Sequence, residues 1–191
     1  MSCFSEDKLE SEILTVNGKE YVLLRLLGKG KGGYSYLTEK DGREYVVKQI
    51  HHEKCDYYQF GNKLASELRD YERLKAIGIP MPELLDADAE NERIVKEYIP
   101  GDTVFELVCQ GKDTTALAEQ VRDMCRRLYP AHINIDYFPT NFIPRDGVLY
   151  YIDYECSDYT DEWNFENWGS KYWSQTKEFA EHCRQLAHGI G

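Results

Sequence analysis

The stretch that decides the fold of this 191-residue chain is GKGKGGYSYLTEKDGREYVVKQI, at residues 28–50. It contains two runs rich in β-branched and aromatic residues, one on each side of the turn dipeptide Asp41-Gly42, and this composition predicts a pair of antiparallel strands. A glycine-rich turn precedes the first run, and a hairpin with an Asn17-Gly18 turn lies before it. The pattern therefore predicts three antiparallel strands with the glycine loop between the first two.

The chain changes in character once, after Pro100-Gly101. Beyond residue 50, the predicted elements are a helix over about 57–76, a strand over 93–99, helices over 103–109 and 114–128, short strands around 141–143 and 148–152, and a last helix near 174–187. The predicted fold class is α+β with two lobes in a single domain. A β-rich lobe at residues 13–99 precedes a shortened α-helical lobe at residues 100–191.

The glycine turn fits a phosphate-binding loop in two registers. Gly28-x-Gly30-x-x-Gly33 has the generic spacing of such loops. The register Gly30-x-Gly32 agrees better with the aromatic and apolar residues that follow the loop. Glycines let backbone amides approach phosphate oxygens closely, because no side chain stands in the way. A dinucleotide-binding loop is not expected, because such a loop leads into a helix and this one leads into a strand. The alternative is a hairpin turn without a ligand.

Lys48 lies in the predicted strand Glu44–Ile50, in the pattern of a lysine that holds the α- and β-phosphates of a nucleotide. Strand alternation places Val46 on the same face, where it would cover the adenine. The lysine needs a carboxylate to hold it, and Glu67 is preferred over Glu72 for that role. An exposed surface lysine is the alternative.

Asp136 and Asn141 have the spacing Asp-x4-Asn, and Asp153 follows the apolar run 148–152. One carboxylate can orient an attacking hydroxyl, while an amide oxygen and a second carboxylate can hold Mg²⁺ on nucleotide phosphates. All three residues are also common in turns and caps, which is the plainer interpretation of each. Their position after a glycine loop and a strand lysine, in that order, favours catalysis.

Residues 20–155 together resemble the protein-kinase-like superfamily, and most closely its compact atypical members: RIO-type kinases, the small kinase of the KEOPS complex, and aminoglycoside and choline phosphotransferases. Glu97-Tyr98 is similar to the hinge whose backbone groups meet the adenine edge. The resemblance implies ATP and Mg²⁺ as cofactors, Asp136 as the catalytic base, and Asn141 and Asp153 as metal ligands. The nucleotide-binding residues that it implies are Gly28, Gly30, Gly32, Gly33, Val46, Lys48, Glu67, Glu97 and Tyr98.

The chain departs from the family pattern at three places. Asn134-Ile135 stands where the family has His-Arg or His-Gly before the catalytic Asp. Phe138 stands where Ser/Thr kinases carry a lysine and small-molecule kinases often a histidine. Asp153-Tyr154-Glu155 replaces the Asp-Phe-Gly of protein kinases and is more similar to choline kinases. The missing lysine puts the rate and the class of acceptor in question.

The composition limits the partners and the location. A net charge of −11 argues against a nucleic-acid backbone or an anionic membrane as the main partner. No apolar stretch approaches the roughly 20 residues of a membrane span, and the first residues lack the features of a signal peptide. The cysteines are too far apart for a metal site with close ligand pairs and suit reduced thiols. A cytoplasmic protein is expected.

The predicted activity is ATP- and Mg²⁺-dependent transfer of the γ-phosphate to a hydroxyl, of the Ser/Thr protein-kinase type. A small-molecule kinase is one alternative, and a nucleotide-binding pseudokinase that serves as a partner module is another. The aromatic stretch at residues 154–173 is predicted to fold under the catalytic loop and to form part of the acceptor pocket. Its alternative role is to build the core of the shortened second lobe.

Overall fold

The computed structural model describes residues 12–30, 32–52 and 62–187. The chain divides into two compact units. Of the described residues, the first unit contains those up to 64 together with 83–98, and the second contains 65–82 together with those from 99 onward. The change of unit after Tyr98 lies just before Pro100-Gly101.

The first unit is built on a six-stranded antiparallel sheet with the strand order β1-β2-β3-β4-β6-β5. Its strands are β1 (Ile13–Val16), β2 (Lys19–Lys29), β3 (Gly33–Lys40), β4 (Arg43–Ile50), β5 (Leu84–Asp88) and β6 (Arg93–Glu97). Asn17 and Gly18 both have positive φ in the turn between β1 and β2, as do Asp41 and Gly42 between β3 and β4. These dipeptides allow the tight turns that join antiparallel neighbours.

One face of this sheet carries a small hydrophobic core. Val47 on β4 and Val95 on β6 are fully buried there, against Leu14, Val16 and Tyr21. Successive side chains of a strand point to opposite faces. Val46 and Lys48 therefore lie on the other face of β4, as the alternation predicted.

The second unit is mainly helical. Its helices are α1 (Lys63–Ala76), whose first two residues belong to the first unit, α2 (Val104–Cys109), α3 (Thr115–Leu128) and α4 (Lys177–Ala187). Two short antiparallel pairs accompany them, β7 (Ile133–Ile135) with β10 (Cys156–Asp158) and β8 (Phe142–Arg145) with β9 (Val148–Tyr151). A capping box between Thr103 and Glu106 begins α2, which satisfies amides that a helix start leaves unpaired.

Several predicted boundaries differ from the structure. The predicted helix over 57–76 is described only from Lys63, and residues 57–61 lie outside the described ranges. The strand predicted over 93–99 ends at Glu97, and α4 begins at Lys177 rather than near 174. The strand β5 was not predicted, because Asp86 and Asp88 are poor strand formers that here accept hydrogen bonds from neighbouring segments.

Aromatic rings fill much of the core of the second unit. Tyr137, Phe142, Phe165 and Trp173 are buried together with the apolar side of α3, and Trp173 donates its indole N–H to the Tyr137 carbonyl at 2.8 Å. The aromatic stretch at residues 154–173 therefore contributes to this core.

A β-rich first lobe and a shortened helical second lobe confirm the predicted α+β, two-lobe protein-kinase-like fold. Within the described part of the chain, no helix combines the length and the apolar character that crossing a membrane requires.

Candidate functional site

The glycine loop of the first unit is closed by short contacts. The Gly30 N–H donates to the Gly33 carbonyl at 2.9 Å, and Nε2 of His51 lies 3.1 Å from the Gly30 carbonyl. Gly28 lies within β2, opposite Ser35 on β3. The loop thus turns tightly from the end of β2 into the start of β3.

Two glycines of this loop have identifiable spatial roles. An added β carbon at Gly33 would lie 2.3 Å from the Gln49 carbonyl oxygen, so only glycine fits between β3 and β4 at this point. An added β carbon at Gly32 would lie 3.7 Å from Nζ of Lys48. The structure therefore brings the loop backbone and the Lys48 ammonium to the same small space, where a phosphate oxygen could meet both.

Lys48 lies on β4 between its cross-strand partners Ser35 and Ile94. Val46, two residues before it on the same face, is buried opposite Leu37 and Lys96. This face therefore combines an apolar surface, which suits a base, with a cation that suits phosphates.

The predicted hinge residues follow the end of β6. Glu97 pairs with Tyr45, donates its N–H to the Glu83 carbonyl at 2.9 Å and accepts the Glu83 N–H on its carboxylate at 3.1 Å. Tyr98 is the last residue of the first unit. The backbone of Glu97 is thus held by the chain that leads into β5.

The two candidate partners of Lys48 lie on α1, within the second unit. Glu67 is half-buried and Glu72 is exposed. The pairing of Lys48 with Glu67 stays a prediction.

In the second unit, Asp136 and Asn141 form one loop. Asp136 directly follows β7, and its Oδ1 accepts the Phe138 N–H at 3.0 Å. The Asn141 side-chain amide donates to the Asp136 carbonyl at 3.3 Å, across the 3₁₀ turn Pro139–Asn141. The loop therefore holds the candidate base and one candidate metal ligand within one short turn.

Asp153 lies at the same end of the β8–β9 hairpin as Asn141. The Ile152 N–H donates to the Asn141 carbonyl at 2.9 Å, so Asp153 follows directly from a residue bonded to Asn141. One oxygen of Asp153 accepts the Tyr154 N–H at 2.8 Å. The structure thus brings Asp136, Asn141 and Asp153 together, although Asp153 lies two residues beyond β9 and not at its end.

Tyr151 joins these loops, and sequence reasoning missed it. Its side chain is fully buried. Its hydroxyl accepts the Asp136 N–H at 3.4 Å and donates to the Glu155 carbonyl at 2.8 Å. Burial, and then the negative charges of Asp153 and Asp136, hold the pKa of Tyr151 well above the ordinary 10.0, so the hydroxyl keeps its proton. A tyrosine in an apolar strand indicates only a core residue, and nothing in the sequence indicates these two bonds.

Other side chains fix the segment after Asp153 to the rest of the second unit. The Tyr154 hydroxyl donates to the Pro82 carbonyl at 2.7 Å, and its ring lies 4.6 Å from the ring of Tyr71 on α1. The buried Asp70 accepts the Cys156 N–H at 3.5 Å. Burial raises the pKa of the Cys156 thiol to about 12, so this thiol remains protonated.

Phe138, two residues after Asp136, lies among aromatic rings from the 154–173 stretch and from α4. Its ring centroid is 5.1 Å from that of Tyr172, 6.3 Å from that of Trp168 and 4.9 Å from that of His182. Trp168 in turn contacts Trp163, which is 51% exposed. The stretch therefore has two parts, one in the core and one on the surface beside the Asp136 loop.

The donor set suits Mg²⁺ held mostly by a nucleotide. Asn141 and Asp153 offer oxygen ligands, and Mg²⁺ commonly takes one or two protein carboxylates together with phosphates and waters. No cluster of three or more His, Cys, Asp or Glu side chains that could hold a metal occurs among the described residues. A site that depends on the phosphates of its substrate does not need one.

No protein-family model matches the chain, but curated proteins do. It is 26% identical over 131 residues to KEOPS complex subunit Bud32 of Pyrococcus abyssi, with 67% of this chain and 60% of the relative covered. It is 26% identical over 108 residues to EKC/KEOPS complex subunit bud32 of Dictyostelium discoideum, with 54% and 43% covered.

A third relative is a probable bifunctional tRNA threonylcarbamoyladenosine biosynthesis protein of Methanocaldococcus jannaschii, 30% identical over 113 residues. That match covers 59% of this chain and 20% of the relative. The chain therefore spans less than two thirds of the length of each of these proteins. The fold and these similarities agree with the resemblance in the sequence to compact, atypical members of the protein-kinase-like superfamily.

Proposed function

We propose that the chain is an ATP- and Mg²⁺-dependent phosphotransferase that moves the γ-phosphate to a hydroxyl, with a protein Ser or Thr as the preferred acceptor. The observation that carries the proposal is the arrangement of Asp136, Asn141 and Asp153 at one end of the β8–β9 hairpin. A carboxylate, an amide oxygen and a second carboxylate are the groups that this reaction requires.

In the proposed reaction, Asp136 orients the acceptor hydroxyl and accepts its proton as the new bond to phosphorus forms. The N–H of Phe138 already holds one oxygen of this carboxylate, which fixes the direction of the group. Asn141 and Asp153 would hold Mg²⁺. When bound, the ion neutralises charge that develops on the phosphates.

The first unit supplies the proposed nucleotide-binding groups. The backbone of the glycine loop and the Lys48 ammonium meet the phosphates, Val46 covers the base, and the backbone at Glu97 and Tyr98 meets the edge of the base. The nearness of Gly32 to Lys48 supports this assignment.

Slow turnover is expected from the side chain at position 138. Phe138 cannot supply the positive charge that a lysine gives near the transferring phosphate. Loss of one such electrostatic contact costs on the order of 10²–10³ in rate. A small-molecule kinase remains the first alternative, since Asp153-Tyr154-Glu155 is similar to the choline-kinase pattern. A pseudokinase that binds nucleotide and serves as a partner module is the second.

The relatives suggest the setting in which the activity is used. Two of them are KEOPS complex subunits, and another is named for tRNA threonylcarbamoyladenosine biosynthesis. We infer that the chain works with a partner protein in a tRNA-modifying assembly. The net charge of −11 describes the isolated chain and not an assembly. We therefore withdraw, for such an assembly, the expectation that nucleic acid is not a partner.

Thermal unfolding with and without ATP and Mg²⁺ tests the proposed metal site. A ligand at a hundred times its Kd stabilises a folded protein by about 2.7 kcal/mol. The wild type should gain stability, and Asp153→Ala should lose most of this gain. Asp158→Ala is the matched control, because Asp158 is an exposed carboxylate on β10 of the same unit.

Two results would count against this assignment. A wild type that ATP and Mg²⁺ do not stabilise would argue against nucleotide binding. An undiminished gain in Asp153→Ala would locate the metal at other residues.

The proposed setting is tested in cells that lack the gene. Their tRNA should contain less threonylcarbamoyladenosine by mass spectrometry, and the wild-type gene should restore it. Unchanged content of this nucleoside would contradict the proposed role in tRNA modification.

A further inference from the structure

A cluster of aromatic rings lies beside the Asp136 loop, and one of its members, Trp163, is exposed at the surface of the second unit. We define the aromatic face as Phe138, Tyr172, Trp168 and Trp163. We infer that this face docks a segment of the acceptor protein that carries arginine or lysine side chains. The inference rests on the proposed function, because it describes how that site would hold a protein acceptor.

The aromatic face is continuous and close to the candidate base. Phe138 contacts Tyr172 at 5.1 Å between ring centroids, Tyr172 contacts Trp168 at 5.5 Å, and Trp168 contacts Trp163 at 5.7 Å. The N–H of Phe138 is bonded to the Asp136 carboxylate. A ligand on this face would therefore lie beside the group that would orient its hydroxyl.

One end of the face, at Trp163, is exposed to water, although residues close to it in the sequence form the core. Trp163 is 51% exposed, whereas Phe165 and Trp173 are almost completely buried. The other three rings of the face are half-buried. An exposed tryptophan next to further rings is costly to leave in water and is typical of a recognition surface.

The acidic residues near the face favour a positively charged ligand. No Lys or Arg occurs between Arg145 and Lys171. Asp161, Glu162 and Glu166 are exposed and lie within three positions of Trp163 or Trp168, whereas the basic neighbours of the face are Lys171, beside Tyr172, and His182, which contacts Phe138 and Tyr172. Arginine and lysine bind over aromatic faces by cation–π attraction, and nearby carboxylates add charge attraction. A basic peptide fits both features.

Two other occupants fit less well. Single-stranded RNA also stacks bases on aromatic rings, but its phosphates would be repelled by the acidic residues near the face. A small cationic alcohol is usually enclosed by a cage of accessible rings, whereas Phe138, Tyr172 and Trp168 contact one another and are half-buried, and Trp163 is the one ring of the four that is largely exposed.

Direct binding by the full chain tests the inference without depending on catalysis. The probes are a fluorescent serine peptide flanked by arginines and the same peptide flanked by glutamates. The arginine peptide should bind more tightly. Trp163→Ala, which leaves the charge unchanged, should weaken this binding roughly two- to fivefold, the strength of an exposed cation–π contact.

Two variants serve as controls in this experiment. Trp163→Phe should retain most of the affinity, because it keeps a ring. Leu186→Ala should keep all of it, because Leu186 is an apolar side chain with the same 51% exposure on α4.

The possible outcomes separate this inference from the proposed function. Equal binding of the two peptides, or unchanged affinity in Trp163→Ala, would overturn the inference even if the protein transfers phosphate. Displacement of the arginine peptide by choline, or Trp163-dependent binding of a labelled single-stranded RNA, would also overturn it. The predicted binding pattern without any peptide phosphorylation would support the docking surface and contradict the proposed transfer reaction.

Discussion

At the scale of single residues, the hydroxyl of Tyr151 should matter for turnover. Tyr151→Phe removes the group that joins the Asp136 N–H to the Glu155 carbonyl. One hydrogen bond contributes about 1 kcal/mol, so kcat should fall roughly three- to tenfold while nucleotide affinity stays unchanged. Steady-state kinetics with ATP as the varied substrate would show this division between kcat and KM.

The matched control is Tyr137→Phe. Tyr137 is also fully buried, but its hydroxyl contacts the Cys125 thiol at 3.7 Å rather than either loop. If both variants lose the same kcat, the effect of Tyr151 is general destabilisation and not the positioning of Asp136.

The sequence could indicate Asp136, Asn141 and Asp153 because their types, spacing and order suggest one chemistry. Their roles in catalysis and metal binding stay predictions. Tyr151 and Asp70 could not be found in this way, because their significance depends on which backbone groups the folded chain brings to them. Sequence motifs indicate which residues could react, but they do not indicate the contacts that orient those residues.

At the scale of elements, Gly33 should be required for the β3–β4 pair. A β carbon there would lie 2.3 Å from the Gln49 carbonyl, whereas one at Gly28 would meet nothing within 4 Å. Gly33→Ala should therefore lower the free energy of unfolding by about 1–3 kcal/mol, the usual cost of overpacking. Urea unfolding of both variants is the measurement, and equal stability of Gly33→Ala and Gly28→Ala would contradict the packing described here.

Asp88 should make the sheet sensitive to acid. Its carboxylate accepts N–H groups from Asn17, Glu90 and Asn91, and so ties the β1–β2 turn to the β5–β6 turn. These bonds, the Asn17 N–H foremost, lower the pKa of Asp88 from 3.8 to about 2. A lowered pKa stabilises the folded state above the unfolded value, and this stability is lost as the pH falls through the folded value.

The expected result is a pH-dependent difference between wild type and Asp88→Asn. The wild type should be more stable at neutral pH, and the two proteins should converge as the pH falls from 3.8 to about 2. Thermal unfolding across this range is the measurement. A difference that stays constant down to the lowest pH would show that the charge of Asp88 is not what stabilises the contact between the two turns.

Elements with strong local signals could be predicted, and those without them could not. The dipeptides Asn17-Gly18 and Asp41-Gly42 indicated two turns that the structure contains. β5 was not predicted, because its aspartates are poor strand formers and instead accept hydrogen bonds from a segment that is distant in the sequence. The aromatic stretch was open to two interpretations. Trp173 lies in the core, and a role of the stretch in an acceptor pocket stays a prediction.

At the scale of the whole molecule, the order of a β-rich lobe and a helical lobe was evident from the sequence and is confirmed by the sheet and the helices. The resemblance to compact atypical kinases is confirmed as well. Net charge was a weaker guide to partners, because it describes one chain and says nothing of an assembly. The acceptor could not be derived, since it depends on surface chemistry outside the shared motifs.

The most direct test of the proposed activity compares the wild type with Asp136→Asn, measuring ATP affinity and ADP formation side by side over a panel of serine and threonine peptides and small alcohols. Loss of a general base costs on the order of 10²–10⁴ in rate, so the variant should bind ATP as the wild type does and form almost no ADP. Equal turnover in the two proteins would show that Asp136 is not the base. ATP binding with no turnover in either protein would contradict phosphotransfer and favour the pseudokinase.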